Sequence, residues 1–133
     1  MDTRGKTRLV AIVDDDDSMR SALHGLLQSA DLPAQAFASA EEFLNSGQQH
    51  QISCLIADIR MPGMSGLELQ AHLNADRCRI PIIFITSYDS DDVHIQAFQA
   101  GAAGLLCKPF CQESLFQAVR SALANQHDIQ DES

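Results

Sequence analysis

A chain of 133 residues, 45% hydrophobic and 20% charged, has the size and composition of one folded domain, which excludes a largely disordered polymer. With 18 acidic residues against 9 basic ones the formal charge is -9, which opposes direct binding to nucleic acid or to an anionic membrane, because like charges repel. Tryptophan is absent and aromatics make up only 5%, so the core must be built from Ala, Leu, Ile and Val.

In chain order, short apolar runs alternate with helical patterns. After a charged start at 1–8, the run Leu9–Val13 ends at four successive aspartates. A secretory leader needs a longer apolar stretch, and a membrane span about 20 residues. Neither is expected, so the reading is a cytoplasmic protein with no membrane contact. Cys54, Cys78, Cys107 and Cys111 form no CxxC pair and are expected as free thiols. Met19, Leu23, Leu26 and Leu27 recur at helical spacing and predict a first helix. Past the turn at Leu32-Pro33 comes a weak strand, 35–38. Ser39-Ala40-Glu41-Glu42 has the form of a capping box and opens a second helix through Phe43 and Leu44.

Residues 54–57 form another run suited to a strand buried on both faces, and Leu67, Leu69 and Leu73 mark a third helix. Run 82–85 precedes a fourth helix, in which Phe98 is expected to pack inward with Val93 and Ala97 and Gly101 ends the pattern. Run 105–107 precedes a fifth, marked by Leu115, Phe116, Val119, Ala122 and Leu123. Beyond it a polar, acidic tail is expected to fray. Five strands alternating with five helices predict an α/β fold, a mostly parallel five-stranded sheet with helices on both faces. The expected boundaries are an extension at 1–7, one domain at 8–125, and a polar tail or start of a linker at 126–133.

The apolar runs end in polar residues of a particular kind. Asp14 and Asp15 come after the first, Asp58 after 54–57, Thr86 and Ser87 after 82–85, and Lys108 after 105–107. In a parallel sheet these positions emerge at one edge, the carboxyl ends of the strands, where open α/β sheets bind ligands. Crowded carboxylates repel one another, and a hard divalent cation such as Mg²⁺ relieves them. With Mg²⁺ added, three aspartates and a lysine sum to about zero charge, which admits a phosphoryl group. Aspartate is a competent nucleophile toward phosphorus, and metal and lysine together neutralise the transferring oxygens. Asp16 and Asp17 are read more simply, as the cap and first turn of the first helix.

The segments Ile12-Val13-Asp14-Asp15, Asp58-Ile59-Arg60-Met61-Pro62-Gly63-Met64-Ser65-Gly66, Ile85-Thr86-Ser87 and Lys108-Pro109-Phe110, in that order, resemble the response-regulator receiver domain of two-component signalling. The stretch from Ile80 to Phe110 resembles receivers attached to helix-turn-helix transcription regulators. The resemblance implies a flavodoxin-like, doubly wound sheet of order 2-1-3-4-5. It implies that Asp58 is the phosphoacceptor and that Asp14, Asp15, Asp58 and the backbone carbonyl of Arg60 hold Mg²⁺. Thr86 would be the switch hydroxyl and Lys108 the phosphoryl-binding cation, with a cis bond before Pro109. Arg60 and Tyr88 would flank the phosphoryl group and modulate its loss, beside Ser87.

One position departs from the family pattern. Leu105 stands where many receivers carry an aromatic residue that rotates on phosphorylation, so movement of the loop 87–91 and the fourth helix is expected to carry the signal here. The implied partners are a sensor histidine kinase, a carboxyl-terminal DNA-binding output domain outside this chain, and a second copy in a phosphorylation-dependent homodimer. The domain would catalyse its own phosphorylation and dephosphorylation without being a metabolic enzyme. Two other readings compete: a non-phosphorylated interaction scaffold of the same fold, and a Mg²⁺-dependent phosphohydrolase with an aspartate nucleophile. The second wants a carboxylate two residues after the nucleophile, where this chain has Arg60.

Overall fold

The computed structural model describes residues 9–87 and 91–132, with side chains described through residue 124. Among these, five strands form one parallel sheet: β1 (Leu9–Val13), β2 (Ala34–Phe37), β3 (Ile52–Asp58), β4 (Ile82–Thr86) and β5 (Gly104–Cys107). Between and after them run α1 (Asp17–Ser29), α2 (Ala40–Asn45), α3 (Gly66–Ala75), α4 (Asp91–Gln99) and α5 (Gln112–Glu132), with a 3-10 turn at Gln49–Gln51. The strand order is β2-β1-β3-β4-β5, the doubly wound flavodoxin-like topology expected from the sequence.

The central strands read as unbroken apolar runs because helices cover both faces. Alternate residues of β1 and β3 therefore feed two separate cores. On one side Ala11, Val13, Leu55 and Ala57 pack with Phe43, Leu69, Leu73 and Ala97. On the other, Val10, Ile12, Cys54 and Ile56 pack with Leu23, Leu27, Leu115 and Val119. The register pairs Val13 with Ala57 and Ala57 with Phe84, so the strands end almost level. That alignment sets the side chains just past those ends at one rim.

Local details differ from the expectations in four places. The box at Ser39 is only half made: Ser39 accepts from the Glu42 N–H, but the Glu42 carboxylate reaches back to the Ala38 N–H at 2.6 Å. The complete capping box lies at Ser65 and Glu68, opening α3. Phe98 does not pack inward; it is 50% exposed while Ala97 takes the core position. The helix α5 runs on to Glu132, through the segment expected to fray. A continuous helix needs no packing partner for each residue, only uninterrupted backbone hydrogen bonds, and 112–132 contains neither Gly nor Pro. Gly101, at φ 103°, does end α4, with the Gly101 N–H on the Phe98 carbonyl and the Ala102 N–H on that of Ala97.

Candidate functional site

The first aspartates occupy distinct positions around the turn from β1 into α1. Asp14 is buried and Asp15 exposed. Asp16 caps α1 by accepting from the Ser18 and Met19 N–H groups, and Asp17 lies in the first turn, as the sequence implied. The Asp16 N–H in turn donates to Asp14 Oδ1 at 2.9 Å. Arg20, one turn into α1, donates to the Asp14 carbonyl at 2.8 Å and pairs with Asp17. Sequence reading missed Arg20; its three-residue spacing from Asp17 on the first turn was the available signal.

Asp58 ends β3 and is 8% exposed. Its two oxygens are held differently. Oδ1 accepts from the Arg60 N–H at 3.1 Å, and Oδ2 accepts from Lys108 Nζ at 3.1 Å. The chain then turns sharply back: the Gly66 N–H donates to the Ile59 carbonyl at 2.9 Å. A Cβ on Gly66 would lie 2.4 Å from the Asp58 carbonyl oxygen, so only glycine fits there. Glu41 of α2 fastens the crown of the same turn by accepting from the Met64 N–H at 3.0 Å.

Carboxylate oxygens of Asp14, Asp15 and Asp58 all lie within 4.8 Å of one another. Burial pushes the Asp14 carboxyl above the usual range; the Asp16 N–H opposes this, Asp58 adds to it, Lys108 opposes it and Asp15 adds to it. Asp14 Oδ2 is buried without a hydrogen-bond partner, and Lys108 Nζ stands 3.9 Å away, an ion-pair distance. A buried carboxylate oxygen left unsatisfied is costly and calls for a cation. The oxygen-only donor set, two of its three members buried, fits Mg²⁺, which keeps several waters and takes few protein ligands.

Lys108 follows β5 and reaches this cluster because its own N–H donates to the Thr86 carbonyl at 2.7 Å, which fixes where the side chain starts. The peptide bond from Lys108 to Pro109 is cis. Thr86 is fully buried at the end of β4, beside Asp58's strand. Ser87 and Pro109 are exposed at the same rim, and Arg60 is exposed above it. Tyr88 lies outside the described residues. Leu105 pairs in register with Phe84 and packs half-buried against the core. The five residues expected to converge, Asp14, Asp15, Asp58, Thr86 and Lys108, therefore do share one rim.

Cys54 is buried in β3, its thiol pushed up to about 12 by burial, and Cys78 is buried as well; Cys107 and Cys111 are exposed, and all four are free. Among the histidines, His50 and His72 are exposed and His24 and His94 half-buried, while the His127 side chain lies outside the described residues.

Comparison with known proteins gives a consistent result. Residues 10–120 match the family model described as the response regulator receiver domain. The response regulator protein TodT of Pseudomonas putida is 40% identical over 118 residues, covering 89% of this chain and 52% of TodT. The transcriptional regulatory protein FixJ of Azorhizobium caulinodans is 39% identical over 114 residues, covering 86% of this chain and 54% of FixJ. The solved structure of the response regulator StyR superposes with a TM-score of 0.88 at 39% identity, over 95% of this chain and 64% of that one. The chain thus spans about half the length of these curated relatives.

Proposed function

Since this chain belongs to the response regulator receiver domain family, we propose that it is a phosphoacceptor switch in which Asp58 takes a phosphoryl group from the phosphohistidine of a sensor histidine kinase. One observation carries this reading: the three carboxylates gathered within 4.8 Å, with Lys108 Nζ 3.1 Å from the Asp58 carboxylate. A carboxylate oxygen of Asp58 forms the new bond to phosphorus, and the phosphorus–nitrogen bond to imidazole breaks. Asp14, Asp15, Asp58 and the Arg60 carbonyl would hold Mg²⁺, which when bound supplies positive charge against the equatorial oxygens. Lys108 supplies the fixed cation on the protein's side. The Arg60 N–H orients the acceptor, and Thr86, at the end of the neighbouring strand, would supply a hydroxyl to the product.

Family membership makes the domain a signalling module rather than a metabolic enzyme; self-catalysed phosphorylation and dephosphorylation belong to the proposal. So do the boundaries of 8–125 for the receiver and 126–133 as tail or linker, and a carboxyl-terminal DNA-binding output domain like that of a transcriptional regulator. No helix among the described residues is long and apolar enough to cross a membrane; a cytoplasmic site of action belongs to the proposal. The exposed Ile95 and Phe98 on α4 offer apolar surface for a phosphorylation-dependent homodimer. Modulation of the phosphoryl lifetime falls to Arg60, Ser87 and Tyr88. Leu105 takes no part as an aromatic rotor, so α4 and the loop before it carry the response.

Intact mass after incubation with a small-molecule phosphodonor and Mg²⁺ tests the reading. The expected result is a hydroxylamine-labile gain of one phosphoryl group that Asp58→Asn abolishes. No gain at Asp58, or steady phosphate release from organic esters, overturns it.

A further inference from the structure

The turn from β3 into α3 begins at the acceptor and carries one further group assigned to the Mg²⁺ site, the Arg60 carbonyl. It is fastened at its base and at its crown. At the base the Gly66 N–H donates to the Ile59 carbonyl at 2.9 Å, and Ile59 and Met61, on either side of Arg60, are buried. The crown is at the surface, with Pro62 and Gly63 exposed and Met64 half-buried. Pro62 followed by Gly63 at φ 76° has the residue pattern of a type II turn, whose fourth N–H ordinarily goes to the first carbonyl. Here the fourth N–H, that of Met64, donates to Glu41 Oε2 at 3.0 Å, 23 residues back in the chain.

Glu41 is well placed to hold that crown. It lies in the first turn of α2, a helix capped by Ser39 and anchored by the buried Ala40 and Phe43. A carboxylate accepting from a backbone N–H makes a charge-assisted bond, stronger than a neutral one. The seat is also shaped for it: a Cβ on Gly63 would lie 2.8 Å from Glu41 Oε2, so the oxygen occupies space that only glycine leaves.

The Arg60 carbonyl shares one peptide plane with the Met61 N–H, so its direction follows the backbone on both sides. On one side the Arg60 N–H is tied to Asp58 Oδ1 at 3.1 Å; on the other stand Met61 and the crown beyond it. Cations respond differently to such fixing. Mg²⁺ demands near-ideal octahedral geometry at about 2.0–2.1 Å, whereas Ca²⁺ accepts flexible shells of oxygens at about 2.3–2.6 Å. A turn held at base and crown favours the small ion, and a turn released at its crown can open to the larger one.

We propose that Glu41 is a positioning residue that sets the cation selectivity of the site: by holding the crown of the acceptor turn, it keeps the Arg60 carbonyl where it suits Mg²⁺ better than Ca²⁺. This rests on the phosphoacceptor reading with its Mg²⁺ site, and adds a part for α2, which contributes no ligand to the proposed set.

The full unphosphorylated chain, titrated separately with Mg²⁺ and Ca²⁺ and followed by the amide shifts of Asp14, Asp58 and Arg60, gives the ratio of the two dissociation constants. In Glu41→Ala the preference for Mg²⁺ should fall about fivefold. In Glu41→Gln, whose amide oxygen still accepts from the Met64 N–H, it should stay within about twofold of the wild-type value. Both ions carry the same charge, so loss of the Glu41 charge, or of general stability, scales the two affinities alike and drops out of the ratio. Hydrogen exchange at the Met64 amide should quicken about tenfold in Glu41→Ala and much less in Glu41→Gln. Glu41 is exposed, so both variants should keep the fold.

A wild-type ratio retained in Glu41→Ala, or unchanged exchange at Met64, overturns the proposal, as does a Glu41→Gln variant that loses selectivity as fully as Glu41→Ala. Absence of any Mg²⁺ response at Asp14 and Asp58 in the wild-type chain overturns the Mg²⁺-dependent phosphoacceptor reading and this proposal together. A normal Mg²⁺ response with an unchanged ratio overturns this proposal alone.

Discussion

The helix after Asp58 and the helix after Thr86 are held in opposite ways. In α3, Gly66, Leu69, Gln70 and Leu73 are buried, a complete capping box closes its start, and the preceding turn is clamped by Gly66 on Ile59 and by Glu41 on Met64. In α4 only Ala97 is buried, while Ile95 and Phe98 stand 54% and 50% exposed. Under the proposed function the contrast matches what each would have to do. An acceptor carboxylate works by preorganisation, so its strand and turn must not yield. An element that reports occupancy needs a second position close in energy, which a deeply packed helix does not have.

The largest expected difference is in thiol reactivity. Cys54 lies inside β3 with its thiol pushed up to about 12, whereas exposed Cys111 is held below the usual thiol range by the Ser114 hydroxyl and N–H. A lowered value means more thiolate at a given pH, so labelling of Cys111 should begin at lower pH than that of an ordinary thiol. A time course of iodoacetamide labelling by mass spectrometry should show Cys54 slower by at least about a hundredfold. Equal rates would break the contrast between the strand of the acceptor and the outer rim.

Stability measurements sharpen it further. Leu69→Ala, in the fully buried face of α3, should cost about 3 kcal/mol in denaturant unfolding. Gly66→Ala should cost about 2 kcal/mol, because its methyl group meets the Asp58 carbonyl. It should also slow phosphorylation, a pairing of effects that a loss of packing elsewhere would not produce. Ser65→Ala removes the cap of α3 and should cost about 1 kcal/mol. Phe98→Ala on α4 should change stability by less than about 0.5 kcal/mol. A Phe98 effect matching that of Leu69 would mean that α4 is anchored as firmly as α3.

Much of this was legible in advance. The apolar runs located the strands because a strand covered on both faces must be apolar throughout, and Asp14, Asp58, Thr86 and Lys108 stood out because each interrupts or succeeds such a run. Helix ends were less legible. Ser39 and Ser65 both precede a glutamate by three residues, yet only Ser65 completes the reciprocal pair, since Glu42 finds the Ala38 N–H instead. Phe98 and Ala97 are adjacent in a helical pattern, and hydrophobicity alone placed both of them inward. Packing against α3 put the small one inside, where Gln70 reaches its carbonyl.

The order of strands and helices, and the residue types at the strand ends, come from the sequence by itself, because periodicity and turn chemistry are local properties of the chain. Which oxygen of Asp58 meets Lys108 and which meets the Arg60 N–H, and that Asp14 Oδ2 is left for a cation, are decided only in three dimensions. So is the tether of α4 to α3 by residues 27 and 26 positions apart. Those contacts join distant segments whose separation is set by the register and twist of the whole sheet, and no local pattern encodes a distance across it.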